Sequence, residues 1–182
     1  MDGLGGVGAA NVGMEEVQME QLRAMVQDVM KEELSGQQLG DAQIVRDIID
    51  GAQADPTRIT QNLKTSIEGL SASNAGEAAA IRMALGDINS VTPETFAKLE
   101  RMRVDAKQTV FAERFDDFVS VVRKRLERIT NVVVELTKKP DMSQQDLMRI
   151  QYEVMQMSIV LDVASKVGDK GSQALQTLFR DK

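Results

Sequence analysis

"LMRIQYEVMQMSIVLDVASKVGDKGSQALQTLF", residues 147–179, carries the longest regular apolar pattern in the 182-residue chain. Its apolar and small residues follow one another in alternating steps of three and four, which is the spacing of a heptad seam on one face of a helix. The seam positions are Leu147, Ile150, Val154, Met157, Leu161, Ala164, Gly168, Gly171, Leu175 and Leu178. The spacing predicts one long helix with coiled-coil character over this stretch.

A second apolar stripe lies beside the seam and widens the apolar part of the helix. Its members are Met148, Met155, Ile159, Val160, Val163, Val167 and Ala174. Because a helix with one partner needs only one apolar stripe, we expect this helix to be contacted on at least two sides. The second cover would come either from N-terminal helices of the same chain or from neighbouring subunits, and the pattern is compatible with both.

Two seam positions, Gly168 and Gly171, are glycines. An interior glycine destabilises a helix by about 0.5–1 kcal/mol relative to alanine. A close approach of a second helix or a hinge would offset this cost. Alternatively, the helix breaks near Gly168 and a short separate turn follows it.

The composition and the positions of helix-breaking residues elsewhere in the chain favour an all-α fold. With five Phe, one Tyr and no Trp, burial depends on Met, Leu, Ile, Val and Ala, which suit helix-on-helix packing. In "VTPET", Thr92 can cap a helix and Pro93 can occupy its first position. No glycine or proline occurs over residues 94–138, so we predict one long helix there, with a bend or break near residues 103–108 where its apolar stripe weakens.

A short turn, "TKKPDMSQQD", separates this helix from the last one. Pro140 interrupts the helical hydrogen bonds, and Ser143 with Asp146 has the spacing of a capping box. Because the connection is short, we predict an antiparallel helical hairpin.

The chain therefore divides into three predicted regions. Residues 1–13 are a flexible glycine-rich segment, residues 14–91 an acidic region of short helices, and residues 92–182 the hairpin with its C-terminal assembly helix. Residues 1–60 hold 11 acidic and 4 basic side chains, so the net charge of −6 belongs mainly to the N-terminal third.

The residue types argue against an enzyme. The absence of Cys and His excludes thiolate and imidazole chemistry and the usual zinc sites, and no paired carboxylates stand in an apolar setting that would raise their pKa. We therefore predict no catalytic residue, no metal and no cofactor. "GLGGVG" near the start matches a dinucleotide fingerprint only by its glycines, because no strand precedes it.

The sequence also argues against nucleic acid as a partner and against a direct membrane span. The one basic cluster, "RKRLER" at residues 123–128, contains Glu127 and follows Asp116 and Asp117, which is typical of a solvated helix face. No run reaches the roughly 20 apolar residues of a membrane span, and "MDGLGGVGAANVG" has neither the basic region nor the apolar core of a Sec signal.

From residue 138 onward, the order of motifs resembles the inner rod proteins of bacterial type III secretion systems. In that family a turn with Pro and Asp, here "KKPDMSQQDL", leads into a helix with a Leu-then-Gln segment, here "LMRIQYEV". An apolar stretch that ends in Ser or Ala and then Lys follows, here "SIVLDVASKVGDK", and a Thr-Leu-aliphatic-basic ending completes it, here "TLFR". The resemblance covers about the last 45 residues, and Phe179 departs from it because an aliphatic residue is usual there.

The resemblance implies a structural subunit that links the export apparatus to the needle and lines the export conduit. Such subunits are made in the bacterial cytoplasm, are exported without a cleaved Sec signal, and end in the envelope apparatus or are secreted. They associate with themselves and with needle and export-apparatus subunits. We expect the seam residues, with Val167 and Phe179, to form that interface; in the family, residues corresponding to Val167, Leu175, Leu178 and Phe179 also contribute to contact with host innate sensors.

An alternative hypothesis is a soluble all-helical adaptor or secretion chaperone. Its acidic N-terminal helices would cover a basic partner, and its C-terminal helix would belong to an intramolecular bundle. Protection of the last residues in a monomer would favour this alternative over the rod.

Overall fold

The computed structural model describes residues 7–36, 56–71 and 76–180, with side chains described from residue 15 to residue 31 in the first range. These residues form six helices and no strand, which confirms the all-α prediction. In chain order the helices are α1 (Val7–Gly36), α2 (Pro56–Ser71), α3 (Gly76–Ala106), α4 (Ala112–Thr137), α5 (Gln144–Lys170) and α6 (Ser172–Leu178).

Helix α1 begins earlier than the sequence pattern indicated. It starts at Val7, so residues 7–13 of the segment predicted to be flexible are helical, while residues 1–6 lie outside the described ranges. Among its described side chains, Leu22, Val26 and Val29 are buried at helical spacing. This stripe attaches α1 to the rest of the molecule.

Helix α3 runs through Pro93, and the predicted helix start at Thr92 is wrong. Instead of capping, the Thr92 hydroxyl donates to the carbonyl of Ile88 at 2.6 Å, one turn back in the same helix. Phe96 and Leu99, beyond the proline, are buried in the core. Packing on both sides of Pro93 therefore maintains a helix that the missing N–H of proline would otherwise interrupt.

The predicted break near residues 103–108 is confirmed. Helix α3 ends at Ala106 and α4 begins at Ala112, so the long helix expected over residues 94–138 is divided in two. The Thr109 backbone N–H donates to the carbonyl of Ala106 at 2.8 Å, and an ion pair of 2.7 Å between Arg103 Nε and Asp116 Oδ1 joins the two helices across the break.

The capping box at the start of α5 is confirmed. The Ser143 hydroxyl accepts from the backbone N–H of Asp146 at 3.1 Å, and an Asp146 carboxylate oxygen accepts from the backbone N–H of Ser143 at 3.0 Å. Lys139 Nζ lies 2.8 Å from the other carboxylate oxygen. The Lys139 hydrogen bond, together with those from Ser143, lowers the pKa of Asp146 from 3.8 to about 2.

All six helices contribute to one packed structure. Helix α2 packs against α3 and α4, α3 and α4 both pack against α5, and α1 packs across α4, α5 and α6. Buried side chains from Leu22 in α1 to Phe179 after α6 belong to one hydrophobic cluster. The N-terminal helices thus lie directly on the C-terminal ones. Within the described ranges, no helix combines the length and apolar character that crossing a membrane requires.

Candidate assembly surface on the C-terminal helices

Every apolar side chain of the predicted interface lies in the core of this chain. The most exposed of them, Val154, is 7% exposed. The set consists of Leu147, Ile150, Val154, Met157, Leu161, Ala164, Val167, Leu175, Leu178 and Phe179. Helices α1, α3 and α4 cover α5 and α6, so the second cover comes from the same chain. Contact of these residues with another chain stays a prediction, and it would require α5 or α6 to leave the core.

Helix α5 lies close against α3 at Gly168. A Cβ atom placed on Gly168 would lie 2.8 Å from the Cβ atom of Lys98 and 3.5 Å from its carbonyl carbon. Real Cβ atoms do not approach other carbons so closely, and the Lys98 Cβ cannot move without its backbone. Of a close helix contact, a hinge and a helix break, the structure therefore has a close helix contact at Gly168.

Polar contacts of Lys98 reinforce this junction. Its ammonium group forms an ion pair of 2.9 Å with Asp169, lies 3.5 Å from Glu94, and donates to the Ser165 hydroxyl at 3.4 Å. The hydrogen bond to Asp169 is the largest cause that raises the pKa of Lys98. Glu94 is on Lys98's own helix and Asp169 is on α5, so the lysine bridges the two helices directly beside Gly168.

Gly171 separates α5 from α6. Its backbone angles are φ 59° and ψ −140°, and it is the one residue with positive φ in the described part of the chain. A Cβ at Gly171 would meet no described heavy atom within 4 Å, so backbone conformation and not space requires a glycine here. The single long helix predicted over residues 147–179 therefore breaks at Gly171, three residues after the position that the sequence suggested.

Phe179, directly after α6, closes an aromatic cluster with α4. Its ring centroid lies 5.7 Å from the ring centroids of both Phe115 and Phe118 in edge-on arrangements. The Phe115 and Phe118 rings are fully buried. Edge-on aromatic pairs contribute about 0.5–1.5 kcal/mol beyond the area they bury. Phe179 thus has a packing role within the chain.

Two arginines hold the backbone beyond α6. Arg114 of α4 donates from Nη1 to the carbonyl of Phe179 at 2.7 Å, and Arg23 of α1 donates from Nη2 to the carbonyl of Arg180 at 3.2 Å. Hydrogen bonds from charged donors contribute more than neutral ones. The receiving site for the C-terminal segment is therefore an apolar pocket with cationic donors at its end.

An apolar stripe on α5 remains exposed. Met148, Tyr152, Met155 and Ile159 are 63%, 54%, 52% and 42% exposed, and they follow one another in steps of four, three and four. Three of them belong to the second stripe predicted from the sequence, and its other members are buried. Sequence reasoning missed Tyr152, although its position four residues after Met148 and three before Met155 was the available signal.

A cleft between α1 and α6 is a further surface feature near the C-terminus. Glu15, Glu16 and Glu20 line its α1 side, and Gln173 and Gln176 line its α6 side together with Lys170 at the end of α5. The cleft is therefore acidic on one wall and carries a cation on the other.

Within the ranges that the structure describes, no three acidic side chains stand close enough together to hold a metal ion. Comparison of the chain with protein-family models, with curated proteins and with solved structures found no match.

Proposed function

We propose that this protein is a structural subunit of a type III secretion apparatus, the inner rod that links the export apparatus to the needle and lines the export conduit. Its partners would be further copies of itself, needle subunits and export-apparatus subunits. The order of motifs over residues 138–182 supports the proposal, and so does the surface that those residues present.

The observation that carries the proposal is the exposed stripe on α5. Met148, Tyr152, Met155 and Ile159 lie on the segment with the rod-like motifs, while the opposite side of the same helix is seated in the core. Contiguous apolar patches on a protein surface commonly mark contacts with other proteins. Neighbouring subunits would cover this stripe without any opening of the core.

A charge placed in the stripe tests the proposal. In a strain that lacks the gene, we expect complementation with Met155→Asp to abolish secretion of needle subunits. Because Met155 is half exposed, the melting temperature of the purified variant should stay close to that of the wild type. The matched control is Met83→Asp, a methionine on α3 that is 74% exposed, and this variant should secrete normally.

Normal needle secretion by both Met155→Asp and Tyr152→Asp would refute the proposal. Leu175→Asp and Leu178→Asp, which the seam pattern suggests first, discriminate less well. Both leucines are buried within the chain, so a charge at either position would unfold the C-terminal region whatever the function.

A second candidate function is a soluble helical adaptor or secretion chaperone, and the cover of the seam by the same chain favours it. Such a protein needs no partner to bury α5 and α6. The acidic wall formed by Glu15, Glu16 and Glu20 would then face a basic segment of its partner.

Fractionation separates the two candidates. A rod subunit should co-purify with needle complexes in fixed proportion to the needle base. An adaptor should remain in the cytoplasmic fraction, and its binding to the partner should weaken as salt rises and in a variant with glutamine at Glu15, Glu16 and Glu20.

A further inference from the structure

Gly171 alone forms the joint between α5 and α6. Its backbone takes angles that glycine adopts readily and other residues avoid, and among the described residues no atom lies within 4 Å of where a side chain would begin. The break therefore depends on the backbone angles of one residue. A change of φ and ψ at that residue alone would release α6 from its position.

The heptad pattern continues in register across this joint. Ala164, Gly168, Gly171, Leu175 and Leu178 keep the steps of four, three, four and three that a continuous helix would need. A straight helix through Gly171 is thus the alternative conformation that the sequence specifies. In that conformation α6 would extend from the end of α5 and leave its contacts with α1 and α3, and Phe179 would leave the aromatic cluster on α4.

The vacated site has requirements that few segments meet. Phe115 and Phe118 accept an aromatic ring edge-on, and Arg114 and Arg23 donate to two consecutive main-chain carbonyls beyond it. An occupant needs apolar residues at helical spacing, then an aromatic residue, and then two consecutive main-chain carbonyls that can accept from the arginines. The segment 172–180 of a second copy meets all of these requirements.

We propose that copies of this protein associate by exchange of α6, with α6 and Phe179 of each copy filling the site on α1, α3 and α4 of the other. The exchanged pair makes the same contacts as the closed monomer, so the two forms differ in the conformation at Gly171 and in the entropy of association. The balance therefore depends on protein concentration. This exchange adds to the proposed rod function a way for copies to join, but its test measures oligomeric state and not secretion, so either can fail alone.

Gly171→Ala tests the exchange. An alanine at residue 171 is strained at the angles of the closed monomer and readily continues a helix, so relief of the strain at one alanine changes the equilibrium by about tenfold. Because the strain is relieved in both copies of a pair, the dimer dissociation constant should fall about 100-fold relative to the wild type in sedimentation equilibrium. The control is Gly86→Ala, where a Cβ would meet no described atom within 4 Å and which should leave the monomer–dimer equilibrium unchanged.

Because the chain has no native cysteine, one introduced cysteine in each copy can show which copy contributes the α6 that fills a given site. One copy carries Glu16→Cys and the other Gln173→Cys, two positions that face each other across the cleft between α1 and α6. In the Gly171→Ala background, a short bis-maleimide should join the two different copies. A monomeric Gly171→Ala protein, or a dimer without this cross-link, would overturn the proposal.

A wild-type measurement covers the case in which Gly171→Ala does not fold. The two single-cysteine proteins, with Gly171 retained, are unfolded together and refolded at increasing concentration. Exchange predicts that the cross-linked heterodimer increases with concentration, and that it disappears when Phe179→Asp removes the aromatic residue from both copies. No cross-linked heterodimer at the highest concentration that stays soluble would refute the exchange.

Discussion

Gly168→Ala is the substitution that most sharply probes the packing of α5 on α3. The added methyl group would stand 2.8 Å from the Cβ atom of Lys98, on a backbone held by ion pairs from Lys98 to Asp169 and Glu94. Relief of this contact requires α3 and α5 to move apart at the point where the Lys98–Asp169 ion pair joins them.

The magnitude follows from two opposed effects. Replacing an interior helix glycine by alanine stabilises the fold by about 0.5–1 kcal/mol. Overpacking by one methyl group in a rigid contact destabilises it by about 1–3 kcal/mol. For Gly168→Ala we therefore expect a net loss of about 1 kcal/mol in the free energy of unfolding. Gly86→Ala, which has space for its methyl group among the described residues, should gain about 0.5–1 kcal/mol.

Urea unfolding followed by circular dichroism measures both variants. With a slope of about 2 kcal/mol per molar urea, the midpoints of Gly168→Ala and Gly86→Ala should differ by about 1 M, with the wild type between them. If Gly168→Ala is as stable as Gly86→Ala, α3 and α5 do not approach as closely as described, and the reasoning about this junction is wrong.

Three further changes probe other parts of the fold. Phe179→Ala should lower the free energy of unfolding by about 3 kcal/mol, measured by urea titration, because it removes a buried ring from the aromatic cluster; a loss below about 1 kcal/mol would contradict that burial. The pKa of Asp146 is lowered to about 2 from 3.8, so its stabilising contribution is full above pH about 4 and is lost as the pH falls toward 2. Asp146→Asn should therefore lower the melting temperature at pH 7 and reduce its decline between pH 4 and pH 2; an unchanged decline would exclude the titration of the Asp146 carboxylate as its cause. Pro93→Ala should raise the free energy of unfolding by about 1 kcal/mol or more in urea, since it restores a helical N–H inside α3, and a decrease would mean that the proline relieves strain there.

Local signals in the sequence predicted local structure well. Ser143 and Asp146 form the expected capping box, because the motif and its partners lie within four residues. The break between α3 and α4 falls where the apolar stripe weakens, since a helix that presents no continuous face to the core gains little from continuing. The all-α class followed from composition and periodicity alone.

Pro93 shows where local signals fail. A threonine followed by a proline strongly favours a helix start when no tertiary packing constrains the flanking residues. Here Leu85 and Ile88 before the proline and Phe96 and Leu99 after it are all buried on one side of α3. Burial of four large side chains outweighs the loss of one hydrogen bond, and the sequence around residue 93 contains no sign of that long-range packing.

The local sequence pattern likewise could not show which chain covers the C-terminal seam. The pattern required cover on two sides of α5 but was compatible with cover from the same chain or from another. The answer depends on α1 and α3, whose contacts with α5 and α6 join residues far apart in the sequence. The candidate surface changed accordingly, from the buried seam to the exposed stripe that contains Tyr152 and Met155.

Amide hydrogen exchange of α6 in the dilute monomer tests most directly whether the chain covers its own seam. We predict that the amides of Leu175, Leu178 and Phe179 exchange at least about 100-fold more slowly than in an unstructured peptide, because opening must withdraw their side chains from the core. Exchange of these amides at the unstructured rate in the monomer, with protection only at concentrations where the protein assembles, would contradict the cover by α1, α3 and α4 described above.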